Sequence, residues 1–358
     1  MLYYLYTLKS SVSWLNVFKY QTFRAMLAFL VSFALVLIFA PIFIRYLKKK
    51  GVKGQPIRDD GPERHELKEG TPTMGGFVPV CAVVFTTLLL ADLSNPYIWL
   101  TLGVMVAYGA VGFIDDWKKI KQQDSAGLSE RQKLIVQFSV AGVAALVLLL
   151  MGFSTELSIP YTKDLTIHLN SIFFLLFAML VVVGTCNAVN LTDGLDGLAI
   201  GPIMTVAGTY SIFAYLGGHS VLAGYLGVYH VPGVGELSIL LMAIVASGLG
   251  FLWYNSFPAQ IFMGDLGALS LGGVLGFIAV VVKHELILVI AGGIFVVEAL
   301  SVIIQRYYYK FTKKRIFKMA PVHHHFELLG LAEPKIIVRF WIISIVLALI
   351  ALTSLKIR

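Results

Sequence analysis

Charged residues are scarce in this sequence of 358 residues. They make up 13% of the chain, with 28 Lys and Arg against 20 Asp and Glu, whereas hydrophobic residues make up 58%. The mean hydropathy is +0.83. Too few polar side chains are present to cover the surface of a soluble globule of this length, which excludes a soluble enzyme or binding module. Most of the surface of this chain must face lipid.

Cysteine is also scarce. Cys81 and Cys186 fall in separate apolar stretches, a placement typical of small buried hydrophobes that argues against a disulfide or a cysteine metal site. The sequence also lacks a repeat of fixed period and a low-complexity linker, which favours a single membrane domain over residues 1–358.

Long apolar stretches, in contrast, fill most of the chain. A transmembrane helix needs about 20 mainly apolar residues, and about ten such stretches follow one another here. The sequence therefore predicts an all-α, polytopic integral membrane protein. The predicted spans cover residues 25–44, 73–93, 97–114, 134–153, 170–189, 198–216, 237–254, 266–282, 286–304 and 336–355.

Lys and Arg are distributed unevenly among the connections between these spans. Most of the 28 lie in three connections, at about 45–72, 115–133 and 305–335. Because positively charged loops stay on the cytoplasmic side, this pattern predicts that both termini are periplasmic. Five connections, including those at about 190–197 and 255–265, are then cytoplasmic and form the predicted active site. Topology also explains the net charge of +8, so no nucleic-acid partner is required.

Two acidic features lie in these cytoplasmic connections. Asp115 and Asp116 are adjacent at the end of the third span, where two carboxylates repel each other unless a cation is near. The pair indicates either a metal or phosphate site, or a solvated helix end neutralised by Lys118 and Lys119. Asp265 begins the eighth span, where a carboxylate either binds Mg²⁺ or caps the helix and stabilises its N-terminus.

The fifth span ends in four polar residues spaced three apart, which are Asn187, Asn190, Asp193 and Asp196. In a continuing helix these residues form one slowly drifting stripe that lines a pocket. Gly194 and Gly197 indicate a turn in the backbone, which favours a loop wrapped around a ligand. The alternative is an elaborate helix C-terminus without a ligand.

The last cytoplasmic connection contains His323, His324 and His325. Three consecutive side chains cannot all face one site, so a zinc site is not expected from them alone. Imidazoles suit phosphate oxygens or a sugar, and an exposed polar loop is the alternative. The preceding basic and aromatic segment, 306–318, is typical of a surface that attracts anionic lipid head groups. Glu298, inside a predicted span, either faces the same cavity or pairs with a neighbouring helix.

In these motifs the sequence resembles the polyprenyl-phosphate N-acetylhexosamine-1-phosphate transferase family over essentially its full length. The resemblance is carried by the Asp115-Asp116 pair, the run from Asn187 to Gly197, the Phe262-Met263-Gly264-Asp265 motif and residues 321–327. It implies transfer of phospho-N-acetylmuramoyl-pentapeptide from its UDP carrier to undecaprenyl phosphate, giving lipid I and UMP in peptidoglycan synthesis. It also implies a cytoplasm-facing site in the bacterial inner membrane.

The resemblance also implies roles for individual residues. Asp265, with Asp115 and Asp116 at the reacting centre, would hold Mg²⁺, and the three histidines would complete the catalytic set. The ring of Phe262 would be available to stack on uracil. The residues implied in substrate binding are Lys68, Lys133, Asn187, Asn190, Asp193, Asp196 and Phe262. The implied partners are UDP-N-acetylmuramoyl-pentapeptide, undecaprenyl phosphate and membrane lipid. A homodimer is a candidate assembly, although the sequence does not specify the oligomeric state.

Two rival functions stay open at this point. One is a sister transferase that uses UDP-N-acetylglucosamine, and the other is a secondary transporter, which would place its binding groups near the bilayer midplane. Within the transferase, the lipid phosphate attacks directly or an aspartate first forms a covalent intermediate. We favour direct attack because a phosphate monoester, with a second pKa of about 6, is largely ionised at neutral pH.

Overall fold

The chain is almost entirely helical. A computed structural model describes residues 1–50, 70–122, 127–162 and 165–357. Two 3-10 helices, Leu2–Ser10 and Ser13–Lys19, precede the first long helix, and a third, Val234–Glu236, precedes α8. The α-helices are α1 (Gln21–Lys49), α2 (Phe77–Leu90), α3 (Pro96–Gln122), α4 (Glu130–Leu150), α5 (Ser171–Thr192), α6 (Ile200–Gly218), α7 (Ser220–Leu226), α8 (Leu237–Asn255), α9 (Gly264–Val281), α10 (Ile287–Ala291), α11 (Gly293–Thr312), α12 (Val322–Leu328) and α13 (Glu333–Thr353).

Local sequence signals explain where several of these helices begin. Ser129 and Gln132 form a reciprocal capping box at the start of α4, and the Asn170 side chain accepts a hydrogen bond from the Phe173 N–H at the start of α5. Between these two helices, strands β1 (Glu156–Ser158) and β2 (Thr166–His168) form a small antiparallel hairpin.

The structure confirms an all-α polytopic membrane architecture. In the described residues, eight helices are long and apolar enough to cross a membrane. The other two predicted spans correspond to α2, which has 14 residues, and to α11, which carries Glu298 and a basic C-terminal turn. The count of about ten spans and the periplasmic location of both termini therefore stay predictions.

Two predicted spans have the wrong form. The span predicted at 73–93 begins as a helix only at Phe77, because the preceding glycines pair with another segment: Gly75 N–H donates to Phe262 O and Gly76 N–H to Met263 O. The span predicted at 286–304 is two helices, α10 and α11. The first ends at Ala291 and the second begins at Gly293, and a Cβ at Gly292 between them would lie too close to the Leu288 carbonyl oxygen.

Helix α9 lies at the centre of the fold, and 94% of its residues are buried. It packs along α3 on one side and α5 on the other. Glycines allow the close approach: a Cβ at Gly272 would contact Val189, and a Cβ at Gly276 would contact the backbone of Val182. In the outer helices α1, α4 and α13, about a third or less of the most apolar residues are buried within the protein. The central position of α9 brings its first turn, which carries Asp265, among the ends of α3, α4 and α5.

The opposite end of the bundle is joined by a buried ion pair. Arg24 of α1 donates two hydrogen bonds to Glu236, of 2.6 and 2.7 Å, and a third to the Leu90 carbonyl. Glu236 also accepts from the Asp92 N–H and from Gln21. These contacts tie α1, the end of α2 and the start of α8 together far from the predicted site.

Candidate active site

Three carboxylates meet where α3 and α9 cross. Asp115 and Asp116 of α3 are fully buried, and Asp265, in the first turn of α9, is 13% exposed. One oxygen from each of the three lies within 4.8 Å of the others. Gly112, one turn earlier on α3, lets the helices come this close, because a Cβ there would clash with the Asp265 backbone. Negative charges this close require cations among them.

Two lysines supply positive charge to this acidic triad. Lys133, from the first turn of α4, lies 2.6 Å from Asp265 Oδ2 and 2.9 Å from Asp115 Oδ2. Lys119, one turn after Asp115 on α3, lies 2.7 Å from Asp115 Oδ2 and 3.3 Å from Asp265 Oδ2. Of the two lysines expected to neutralise the acidic pair, Lys119 makes an ion pair with Asp115, whereas Lys118 makes none with the triad in the described part of the chain. A solvated helix end is wrong, because Asp115 and Asp116 are inaccessible to solvent.

Asp116 has a role that the sequence did not indicate. Its two oxygens accept hydrogen bonds from the backbone N–H groups of Asp265 and Leu266, at 3.2 and 3.1 Å. Asp116 therefore caps α9 from the neighbouring helix, and Asp265, for which capping was the alternative, makes no cap. The Asp265 oxygens are instead directed at the lysines and at Asn190. Gly264, at φ +75°, is needed here, because a Cβ would contact Asp116 Oδ2 and Thr73 Oγ1.

The four polar residues predicted to form one stripe along α5 do not share one environment. Asn190 Nδ2 donates to Asp265 Oδ1 at 2.9 Å and belongs to the site. Asn187 instead donates to Gln137 Oε1 of α4 and to the Val183 carbonyl, both at 2.8 Å. The helix ends at Thr192, so the stripe does not continue as one helical face.

Asp193 follows directly after α5, outside the helix. Burial and, after it, the negative charges of Asp265, Asp116 and Asp196 raise the pKa of Asp193 to about 8, while a hydrogen bond from the Gly264 backbone opposes the shift. At neutral pH this carboxyl is largely protonated. A cation in the triad would favour the ionised form of this carboxyl.

Asp196 holds the loop after α5 in place. Its carboxylate accepts from the Ala259 N–H at 2.9 Å, and its own N–H donates to Glu333 Oε1 at 2.9 Å. The side chain is 3% exposed. Asp196 thus joins the predicted connections at about 190–197 and 255–265 to the start of α13, and these connections lie at one end of the bundle.

The three histidines point in different directions, as expected for consecutive residues. His323 is fully buried, with Nδ1 3.1 Å from Glu298 Oε2, and its ring fills the space where Gly194 has no side chain. His324 Nδ1 lies 2.7 Å from Glu327 Oε2. His325 Nδ1 accepts from the Lys318 N–H at 3.1 Å. Glu298 therefore pairs with a neighbouring helix, α12, which is one of the two alternatives for it.

Phe262 is fixed by its backbone beside the triad. Its N–H donates to the Pro72 carbonyl at 2.9 Å, its carbonyl accepts from Gly75, and its ring is partly exposed. The ring is thus free to contact a planar group. Lys68 lies outside the described residues.

Several site residues carried no usable sequence signal. Glu333 and Thr73 sit in unremarkable contexts, and contacts distant in sequence bring them to Asp196 and Gly264. Lys119 had the one available signal, its spacing of four residues from Asp115 on a helix.

The acidic triad fits a hard divalent cation. Carboxylate oxygens are the ligands that Mg²⁺ prefers, and here the donor atoms are already within 4.8 Å of one another. Lys119 and Lys133 bind the same oxygens, with side chains that are 11% and 21% exposed, so a bound cation would have to displace their ammonium groups in part.

Comparisons with known proteins agree with this site. The family model for Glycosyl transferase family 4 matches residues 98–283, which include the triad and Asp193. The chain is 56% identical to the phospho-N-acetylmuramoyl-pentapeptide-transferase of Citrifermentans bemidjiense, and 55% and 54% identical to proteins of the same name from Geobacter sp. (strain M21) and Pelobacter propionicus. Each alignment covers 100% of both chains. The resemblance found in the motifs is thereby confirmed, and the chain belongs to glycosyl transferase family 4.

Proposed function

We propose that this chain transfers phospho-N-acetylmuramoyl-pentapeptide from its UDP carrier to undecaprenyl phosphate, giving lipid I and UMP. The observation that carries the proposal is the 56% identity over the full length to a protein named phospho-N-acetylmuramoyl-pentapeptide-transferase. The buried triad with its two lysines supports it, because phosphoryl transfer depends on groups that position and neutralise phosphate oxygens.

Asp265, Asp115 and Asp116 would hold Mg²⁺, whose bound charge would polarise the phosphate oxygens of the UDP substrate. Lys133 and Lys119 place two ammonium groups beside the same carboxylates, where they face an incoming diphosphate. Such fixed positive charge counts most in a site shielded from water.

Undecaprenyl phosphate attacks the sugar-bearing phosphorus directly in this proposal. Its phosphate is largely ionised at neutral pH, so it needs little help from a general base. Asp116 supports direct attack, because each of its oxygens already accepts an N–H group of α9, which lowers its nucleophilicity and still leaves it a lone pair for a cation. A phosphosugar adduct on Asp115 or Asp116, isolated without lipid phosphate, would contradict this mechanism.

The nucleotide and sugar would bind around the loop after α5. Phe262 offers its ring to uracil, while Asn190 and Asp193 border the triad on the same side. His324 and His325 contact phosphate or sugar. His323, paired with Glu298, packs against Gly194 and supports the loop after α5. Lys68 and Asn187 remain proposed substrate contacts.

The site belongs on the cytoplasmic face of the bacterial inner membrane, where the UDP substrate is found. The three basic connections, at 45–72, 115–133 and 305–335, support this orientation through the positive-inside rule. The site residues also cluster at one end of the helices, which favours an enzyme over a transporter with a site at the midplane.

An assay with purified full chain tests the proposal. UMP release is measured with undecaprenyl phosphate and either UDP-N-acetylmuramoyl-pentapeptide or UDP-N-acetylglucosamine, with and without Mg²⁺. We expect Mg²⁺-dependent release with the muramoyl substrate. Asp265→Asn should lower the rate at least about 10²-fold, whereas the matched change Asp92→Asn, at the other end of α2, should preserve it. Release with the glucosamine substrate alone supports the sister enzyme. Solute uptake into vesicles without UMP release supports the transporter.

A further inference from the structure

A groove opens on the membrane-facing surface between α1 and α2. It has a volume of about 520 Å³ and runs from Leu35 to Tyr46 on α1 and from Phe77 to Phe85 on α2. Its walls are aliphatic and aromatic, with the Cys81 thiol among them. Tyr46, Phe77 and Phe85 are between 42% and 55% exposed, so the groove is open towards the bilayer. Walls of this kind suit a hydrocarbon chain and offer a soluble ligand no polar partners.

The cytoplasmic end of the groove is basic. Lys48, Lys49 and Lys50 are exposed in the last turn of α1, and Lys50 Nζ lies 5.9 Å from the centre of the Tyr46 ring that lines the groove. Each lysine near a membrane surface attracts anionic head groups by roughly 1 kcal/mol, about a fivefold effect. A hydrocarbon channel with ammonium groups at its mouth is complementary to a lipid with a negative head group.

We propose that this groove is a binding site for an anionic phospholipid, with one acyl chain between α1 and α2 and the head-group phosphate on Lys48, Lys49 and Lys50. A volume of about 520 Å³ suits a single fatty acyl chain, whereas the much longer polyprenyl chain of the proposed substrate would leave most of its length outside. A bound lipid packs on Phe77, one residue after Gly76, whose N–H donates to Met263 O beside the triad. The proposal does not depend on the proposed function.

Native mass spectrometry of the purified full chain tests the site. The chain is incubated with equal amounts of phosphatidylglycerol and phosphatidylcholine, and the retained lipid is counted. We expect one preferentially retained phosphatidylglycerol, weakened at least about tenfold in Lys48→Gln/Lys49→Gln/Lys50→Gln. Cys81→Phe, which fills the groove, should abolish it. The control Lys118→Gln/Lys121→Gln/Arg131→Gln removes the same charge from the ends of α3 and α4, none of which lines the groove, and should retain the lipid.

A second measurement needs no variant. Cys81 is exposed and Cys186 is buried, so a membrane-permeant maleimide should label the unmodified chain at Cys81. Phosphatidylglycerol should slow this labelling several-fold more than phosphatidylcholine does. The proposal is overturned by equal protection from both lipids, by retention in Cys81→Phe, or by equal loss in the control variant at the ends of α3 and α4. Displacement of the lipid by undecaprenyl phosphate would assign the groove to the substrate tail, and a dimer closed over this face would assign it to a second copy.

Discussion

Replacing Lys133 with methionine should separate metal binding from catalysis. The Lys133 ammonium lies on Asp265 Oδ2 and Asp115 Oδ2, at 2.6 and 2.9 Å, and these oxygens belong to two of the three proposed metal ligands. The ammonium therefore competes with a divalent cation for the same atoms. Its removal should tighten cation binding and at the same time lower the transfer rate, because a proposed diphosphate contact is lost.

The size of the first effect follows from Coulomb's law. A divalent cation about 4 Å from a fixed ammonium is repelled by roughly 8 kcal/mol at an effective dielectric constant of about 20. The Lys133 side chain is 21% exposed, so it can turn into solvent and relieve most of this repulsion. We expect a remainder of about 1 to 2 kcal/mol, which is about a tenfold tighter dissociation constant.

Mn²⁺ binding to the purified chain, followed by electron paramagnetic resonance, measures the affinity, and UMP release measures the rate. We expect kcat/KM of Lys133→Met to fall about 10²-fold while Mn²⁺ binds more tightly. Lys133→Arg keeps the charge and should keep the wild-type affinity. Lys118→Met is the matched control, because Lys118 makes no ion pair with the triad in the described part of the chain.

Opposite signs for the two effects are the critical result. A misfolded variant would lose both cation binding and activity, so it would not show tighter binding together with a lower rate. Unchanged or weaker Mn²⁺ binding in a folded Lys133→Met protein would refute competition for the triad oxygens. If Lys118→Met tightened Mn²⁺ binding as much as Lys133→Met does, the effect would come from the loss of any nearby positive charge and not from competition for the triad oxygens.

Three further predictions concern other parts of the molecule. Because a cation favours the ionised form of Asp193, whose pKa is raised to about 8, divalent-cation affinity should rise with pH from about 6 and level off above 8, and Asp193→Asn should flatten this profile in calorimetry. Glu298→Ala leaves His323 Nδ1 buried without a partner, so it should cost about 1 to 3 kcal/mol in thermal unfolding and raise KM for the UDP substrate, whereas Glu298→Gln should largely restore both. Arg24→Met should destabilise the chain by about 3 to 5 kcal/mol with kcat unchanged, and adding Glu236→Met should recover part of that loss in denaturant unfolding.

Composition and hydropathy predicted the helical membrane architecture because the requirement behind them is simple: lipid demands apolar side chains and internally satisfied backbone. The same signals could not place interruptions that depend on contacts distant in sequence. The segment before Phe77 reads as apolar helix, yet Gly75 and Gly76 pair with Phe262 and Met263 across the site. The short α7 and the hairpin between α4 and α5 were also not predicted.

The sequence predicted those parts of the site in which the residue type itself indicates the chemistry. It could not predict the parts that depend on how the helices pack. Acids in three connections and histidines in a fourth could be predicted to share one membrane face from Lys and Arg counts, and the structure brings Asp115, Asp116 and Asp265 together. Sequence spacing could not show that Asn187 contacts Gln137 and lies apart from the triad. Nor could it show that Asp116 caps α9, because the sequence distance between them hides the contact.

The charge of the site would make binding of the proposed substrate depend on the proposed cation. Three carboxylates and the ammonium groups of Lys119 and Lys133 leave one excess negative charge if Asp193 is protonated, a state that repels a diphosphate. With a divalent cation bound, the excess becomes positive while Asp193 stays protonated and falls to zero when Asp193 ionises, so the repulsion of a diphosphate is removed in either state. The lysines keep the triad stable without the cation, yet they are too few to make the site attractive to the substrate. Affinity for the UDP substrate should therefore be conditional on the cation, which a site built from lysines alone would not require.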